Sequence, residues 1–244
     1  MTDASTSEEY EQQLVRRFFN DTPGFLVEVG ANHPTEGSQS WHLEQRGWRG
    51  ILVEPQPKLA ARLREVRSAK VVAAACSSPE NAGRQLPFHI AGPLSSLDRD
   101  AMAPGSRPEE VIQVLVRTLD DILMEGGAPQ RLDFLSVDVE GHEIEVLRGF
   151  DFARWQPRLI LLEDHVGNLR KHWFLKSSGY RLVRRTNLNG WYVPANSPVH
   201  FGWEDRWQVL RKYYLALPFR VLRNMSRRLR QPIKDRRRAR HYSA

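Results

Sequence analysis

The sequence predicts an α/β domain: a mostly parallel sheet covered by helices on both faces. Three observations carry this. Short apolar runs alternate with amphipathic stretches along most of the chain. The runs lack the strict apolar–polar alternation of a half-exposed sheet, so they suit strands buried on both faces. Several of them stop abruptly at glycine, proline or a carboxylate, where a strand would leave the core.

In order, residues 8–20 read as a helix with Tyr10, Leu14, Val15, Phe18 and Phe19 on one face. "GFLVEVGANHP" is a strand running into a loop, and "SQSWHLEQRG" a helix closed by Gly47. "RGILVEP" is a second strand stopped by Pro55, "PKLAARLREVRS" an amphipathic helix and "AKVVAAAC" a third strand. Residues 77–110 are richer in Pro, Gly and Ser, with one strand at "LPFHI". "VIQVLV" is another strand, and Thr118 and Asp121 make a capping-box-like start ahead of "ILM". "LDFLSVDV" is a strand, "HEIEVLRG" a helix ended by Gly149, and "PRLILLED" a strand. "HVGNLRKHWFLKSSG" reads as helix up to Gly179. "YRLVRRT" and "GWYVPA" flank "NLN" as two closing strands that can pair antiparallel.

The 244 residues suit one domain with an appendage. Cys76 is the single cysteine, which excludes an intrachain disulfide framework and a cysteine-built zinc site and fits a reducing compartment. The polar, acidic start "MTDASTSEEYEQQ" has no signal-peptide pattern, and no uncharged apolar run approaches a membrane span. The net charge of +7 is unevenly spread. Arg206–Arg240 holds 13 Lys/Arg and one acid, Asp235, whereas residues 1–205 hold 23 Lys/Arg against 28 Asp/Glu. This divides the chain into a main domain, 1–204, and a basic amphipathic tail, 205–244.

In a sheet of this kind ligands gather at the carboxyl ends of the strands. In "VEVGAN", Gly30 would let a ligand approach the backbone, although a plain tight turn needs a glycine too. Glu54 ends the second strand, 24 residues after Gly30, where an acid can accept both hydroxyls of a ribose; a solvated surface acid is the plainer reading. Gly-x-Gly-x-x-Gly is absent, so the pair points to a nucleoside-bearing ligand without a pyrophosphate. Asp138 ends a later strand, with Glu140 just after it, and Glu163, Asp164 and His165 end the next. Asp138, Glu163 and Asp164 could hold Mg²⁺. Alternatively, His142 or His165 could take a proton from a hydroxyl, with Asp138 beside it. Glu143 and Glu145 also fit the exposed face of an amphipathic helix.

"FLVEVGAN", "GWRGILVEPQP", "RTLDDIL", "DFLSVDVEGHEIEVLRGFD" and "RLILLEDH" occur in an order and spacing that resembles the FkbM-type S-adenosylmethionine-dependent methyltransferases. The resemblance covers about residues 25–195. It implies a Rossmann-like class I methyltransferase fold with seven strands, the last antiparallel. It implies methyl transfer to hydroxyl oxygens of sugars, lipid-linked glycans or similar small acceptors. Carried onto this chain, it puts Glu28, Gly30, Asn32 and Ser40 around the amino-acid part of S-adenosylmethionine and Glu54 on its ribose. Cys76 and Ser77 would border the adenine, and Asp138 would lie by the sulfonium and the acceptor. Ser95 and Ser96 become candidates for the acceptor side. Asn189 and Trp191 could cover a sugar face, or Trp191 could be plain core.

In the tail, Trp207, Leu210, Tyr214, Leu217, Val221 and Met225 recur at helical spacing among Arg and Lys. An anionic membrane surface contacted through residues 206–240, a nucleic acid and the protein's own domain are the three readings; grouping of the aromatics on one face favours the first. The expected protein is therefore a cytoplasmic O-methyltransferase able to sit at the inner face of the membrane. An RNA-modifying methyltransferase that grips with its tail and a non-catalytic nucleoside-binding protein are the alternatives.

Overall fold

The computed structural model describes residues 4–99, 108–164 and 169–219, with side chains from Glu8 onward. The strands are β1 (Phe25–Val29), β2 (Arg49–Val53), β3 (Lys70–Val72), β4 (Ala75–Cys76), β5 (Gln85–Ile90), β6 (Glu110–Arg117), β7 (Phe134–Val137), β8 (Leu159–Glu163), β9 (Tyr180–Thr186) and β10 (Asn189–Pro194). The helices are α1 (Ala4–Phe18), α2 (Trp41–Glu44), α3 (Pro57–Val66), α4 (Leu119–Gly126), α5 (Glu143–Arg148), α6 (Phe152–Trp155), α7 (Arg170–Ser177) and α8 (Trp203–Val209).

Seven strands form one sheet in the order β3-β2-β1-β7-β8-β10-β9. The five from β3 to β8 are parallel, and β10 runs antiparallel to both of its neighbours. Strand alternation sorts the core into two layers. Val27, Val29, Ile51, Val53, Leu135 and Val137 pack against α4 and α5. Leu26, Leu52, Phe134 and Leu159 face the other way, against Val15 and Phe19 of the first helical segment and Leu43 and Leu63 of α2 and α3. Both faces are thus covered, which is why these strands read as nearly unbroken apolar runs. The capping expected at Thr118 is present: its hydroxyl accepts from the Asp121 N–H at 3.1 Å.

The third strand differs from its expected extent. "AKVVAAAC" breaks after Val72, and Ala75–Cys76 leaves the main sheet to pair with Val116–Arg117 of β6. The order β4-β6-β5 makes a second, three-stranded sheet with its own small core of Ala75, Phe88, Val114 and Val116. The Pro- and Gly-rich segment therefore builds a wall beside the carboxyl edge of the main sheet.

The helix that opens the tail starts at Trp203, continues as a π-helical turn over Leu210–Leu215 and packs on β9. The boundary expected at 204/205 falls inside it. Val221 and Met225 lie outside the described residues. Among the described residues no helix is long and apolar enough to cross a membrane.

Candidate active site

The site is built where β1 and β7 lie side by side and the chain on either side of them departs to opposite faces of the sheet. Gly30 follows β1 with φ +86°, and its N–H donates to the Val53 carbonyl at 2.9 Å. A Cβ at Gly30 would lie 1.8 Å from the Asp138 carbonyl oxygen, so only glycine lets these two strand ends meet. Asn32 is also left-handed, at φ +49°. Its N–H donates to Glu54 Oε2, and the Gln56 N–H donates to Oε1, both at 2.9 Å. Glu54 is buried; burial raises its pKa while the two N–H groups pull it back. Each carboxylate oxygen is fixed by one backbone donor and keeps a lone pair for a ligand hydroxyl.

A cleft opens over these strand ends. Gly30, Asn32, Glu54, Cys76, Asp138 and His142 line it from the main-sheet side. Phe88, Ser95 and Leu97 line it from the small sheet and its following loop. Burial pushes the Cys76 thiol up to about 12, so it contributes a neutral wall rather than a nucleophile. These groups suit S-adenosylmethionine: a buried, oriented carboxylate to accept from a ribose, apolar surface for a base, and backbone exposed at Gly30 for the amino-acid end. The cofactor fits the residues present.

Three other expected cofactor residues sit behind the cleft wall. Glu28 shares its face of β1 with Leu26, so alternation points it away from Val27 and Val29 and beneath the loop 33–40. There its carboxylate accepts from the Ser38 hydroxyl at 3.2 Å, the Gln39 N–H at 2.8 Å and the Ser40 hydroxyl. Burial raises the Glu28 pKa, and nearby Arg67 opposes the rise. Arg67 itself is buried, donating to Glu44 at 2.8 Å, the Pro34 carbonyl at 3.0 Å and Ser40 at 2.5 Å. Ser77 is fully buried beneath His142. Its hydroxyl lies 2.9 Å from His142 Nε2 and accepts from Asn81 Nδ2 at 3.0 Å.

At the acceptor end, Asp138, Glu140 and Glu163 each place a carboxylate oxygen within 4.8 Å of the other two. Solvent reaches Asp138 through the open cleft. Even so, the enclosing protein first, and then Glu163, Glu140 and Glu143, hold its pKa well above the usual carboxylate value. Glu140, rather than Asp164, completes the trio. It is brought in by a left-handed turn, φ +51°, ahead of Gly141, and Ser96 Oγ donates to its carbonyl at 2.9 Å. Asp164 turns instead toward Tyr213, and its carbonyl accepts from Arg185 at 2.5 Å. Glu143 is fully buried and paired with Lys171 Nζ at 2.6 Å, whereas Glu145 pairs along its own helix with Arg148. His142 lines the cleft, and burial lowers its pKa below the ordinary imidazole value. His165 lies outside the described residues. Ser95 lines the cleft, its hydroxyl donating to the Gly92 carbonyl at 2.6 Å. Trp191 is core, and Asn189 donates to Glu11 at 2.7 Å; neither borders the cleft.

Sequence reasoning missed Arg67 and Glu44, and it named Glu140 among the carboxylates at this strand end without placing it in the trio. The first two lie 23 residues apart within ordinary amphipathic stretches and meet only through the fold. For Glu140 the signal was its place between Asp138 and Gly141.

This strand order, with a ribose-type carboxylate after β2 and an acid after β7, defines a Rossmann-like class I methyltransferase. The chain belongs to the FkbM methyltransferase family, whose domain model matches residues 28–182, and is a methyltransferase dependent on S-adenosylmethionine. No curated protein matches it. Similar solved structures include a protein from Pyrococcus horikoshii described as a candidate RNA methyltransferase, at 10% identity and TM-score 0.42, covering 79% of this chain and 86% of that one. A precorrin-6y C5,15-methyltransferase from Geobacter metallireducens gives 14% and 0.37, covering 74% and 86%. A 1,6-didemethyltoxoflavin-N1-methyltransferase from Burkholderia thailandensis, with bound S-adenosylhomocysteine, gives 9% and 0.37, covering 77% and 76%. At these scores the likenesses are too weak to bear on chemistry.

Proposed function

We propose that the protein is an O-methyltransferase that methylates a hydroxyl of a sugar, a lipid-linked glycan or a similar small polar acceptor. One observation carries the reading: a single cleft joins the oriented carboxylate of Glu54 to the imidazole of His142 and the carboxyl group of Asp138. Glu54 would hold the ribose hydroxyls, Gly30 and Asn32 the amino-acid end, and Cys76 would border the base. Glu28 and Ser40 would act on that end through the loop 33–40 that they fasten. Bound there, S-adenosylmethionine supplies a methyl group already activated on its sulfonium.

What remains for the chain is to orient the acceptor and move one proton. His142 stays neutral at pH 7 because burial depresses its pKa, so it is ready to accept. Ser77 can hold Nε2 as a donor, which leaves Nδ1 bare for the acceptor hydroxyl. Burial first and then Glu163 raise the pKa of Asp138, and a proton held by Asp138 against Glu163 would lower the charge of the trio. A divalent cation such as Mg²⁺ would answer the same crowding; protonation answers it with groups already present. A carboxyl group so placed can both give and accept a hydrogen bond to the acceptor.

The test is transfer of labelled methyl from S-adenosylmethionine to sugar nucleotides, polyprenyl-linked oligosaccharides and RNA, with the methylated atom located by mass spectrometry. Label on a sugar hydroxyl is expected; label confined to RNA, or to nitrogen or carbon, rejects the proposal. The base assignment predicts the pH profile. Neutral imidazole is the active form, so the rate should be flat through pH 7 and fall only below the ordinary imidazole range. His142→Gln should lower kcat by roughly 10²–10⁴ and remove that acid limb. An unchanged limb in the variant would assign it to another group.

A further inference from the structure

The helix that opens the tail has two unlike faces. On the inner one, Asp205 takes a bidentate pair from Arg184 at 2.7 and 2.9 Å. Tyr213 is fully buried with its hydroxyl 3.1 Å from Arg185, and Tyr214 reaches His172 at 3.1 Å. These contacts fix the helix on β9. Away from these contacts the segment exposes large apolar side chains beside charged ones: Trp203 is 74% exposed and Phe219 75%, and Trp207, Leu210 and Leu215 are also exposed, as are Arg206 and Arg211. Trp203 and Trp207 lie one α-helical turn apart in α8. Single exposed apolar residues need no explanation, but a concentration of this kind on one short segment marks an interaction surface.

The charge around these side chains limits what they can meet. A groove between this helix and β9 is lined by Arg181, His200 and Arg206 beside Phe201 and Leu210. After Phe219 the sequence carries ten further Lys/Arg and one acid. A single-stranded nucleic acid would use the cations and could stack bases on the Trp and Phe rings, but it has no use for the exposed aliphatic side chains of Leu210 and Leu215 among them. An anionic bilayer uses both: aromatic and aliphatic side chains enter the headgroup–acyl boundary while cations meet the headgroups.

We propose that residues 203–219 dock this protein on an anionic membrane surface. Trp203, Trp207 and Phe219 are the inserting residues. The docking surface is separate from the cleft and does not depend on which acceptor the enzyme uses.

The test uses the full chain and vesicles of phosphatidylcholine alone or with about a third phosphatidylglycerol. Binding is expected only to the mixed vesicles, and brominated lipid should quench tryptophan emission. Trp203→Ser combined with Trp207→Ser removes only exposed side chains, so the melting temperature should hold while vesicle affinity falls about tenfold or more. The proposal is overturned by failure to bind mixed vesicles, by RNA binding without vesicle binding, or by vesicle affinity unchanged in the double variant.

Discussion

Arg67→Met will cost the domain about 3–5 kcal/mol, because it leaves buried carboxylates without their counter-charge. Arg67 is enclosed between Glu44, 2.5 Å away, and Glu28, 3.9 Å away, and it also donates to a carbonyl and two hydroxyls of the loop 33–40. Methionine matches much of the volume and none of the hydrogen bonds. The pH dependence carries a sign. Glu28 already has a raised pKa from burial, and Arg67 is what opposes the rise. A raised folded-state pKa means that stability is lost as pH rises, so the variant's deficit should be larger at pH 8 than at pH 5. Urea unfolding at both pH values measures this. A deficit under about 1 kcal/mol, equal at both, would show that the network contributes little.

Gly30→Ala is expected to be as damaging, by a backbone route. The added methyl would lie 1.8 Å from the Asp138 carbonyl oxygen, and φ +86° is strained for alanine even in open space. Backbone atoms have to move, and they belong to the two strand ends that make the cleft. A loss of more than about 3 kcal/mol is expected, with loss of S-adenosylhomocysteine binding in whatever fraction stays folded. Gly37→Ala is the control: it shares a positive φ, +70°, but meets no atom within 4 Å, so it should cost only about 1 kcal/mol. Equal effects at the two positions would mean that backbone conformation, and not the crossing with β7, sets the cost.

The parallel sheet and the antiparallel closing strand were legible because burial on both faces leaves a plain trace in composition. The strand-end residues were legible for the same reason: Gly30, Glu54 and Asp138 stand where apolar runs stop. Glu28 marks where that logic fails. It lies inside β1, one residue before the strand ends, and its direction is set by alternation rather than by closeness to the ligand. Its partners Arg67 and Glu44 carry no local signal, since only the packing of α2 and α3 brings them together. The broken third strand was hidden because "AKVVAAAC" is evenly apolar, and what divides it is pairing with β6, some forty residues on. Cys76 shows that a residue can be found for its place at the end of a strand while its chemistry, a thiol held neutral, needs the surrounding structure.

The central claim is that Glu54, fixed by the N–H groups of Asn32 and Gln56, forms the nucleoside end of an S-adenosylmethionine site. Calorimetric titration with S-adenosylhomocysteine tests it most directly, using the wild-type protein and Glu54→Ala. The account predicts micromolar binding by the wild type and a Kd at least roughly tenfold weaker in the variant, the loss of one buried charge-assisted contact. Equal affinity in the two proteins, or no binding by the folded wild type, would contradict it.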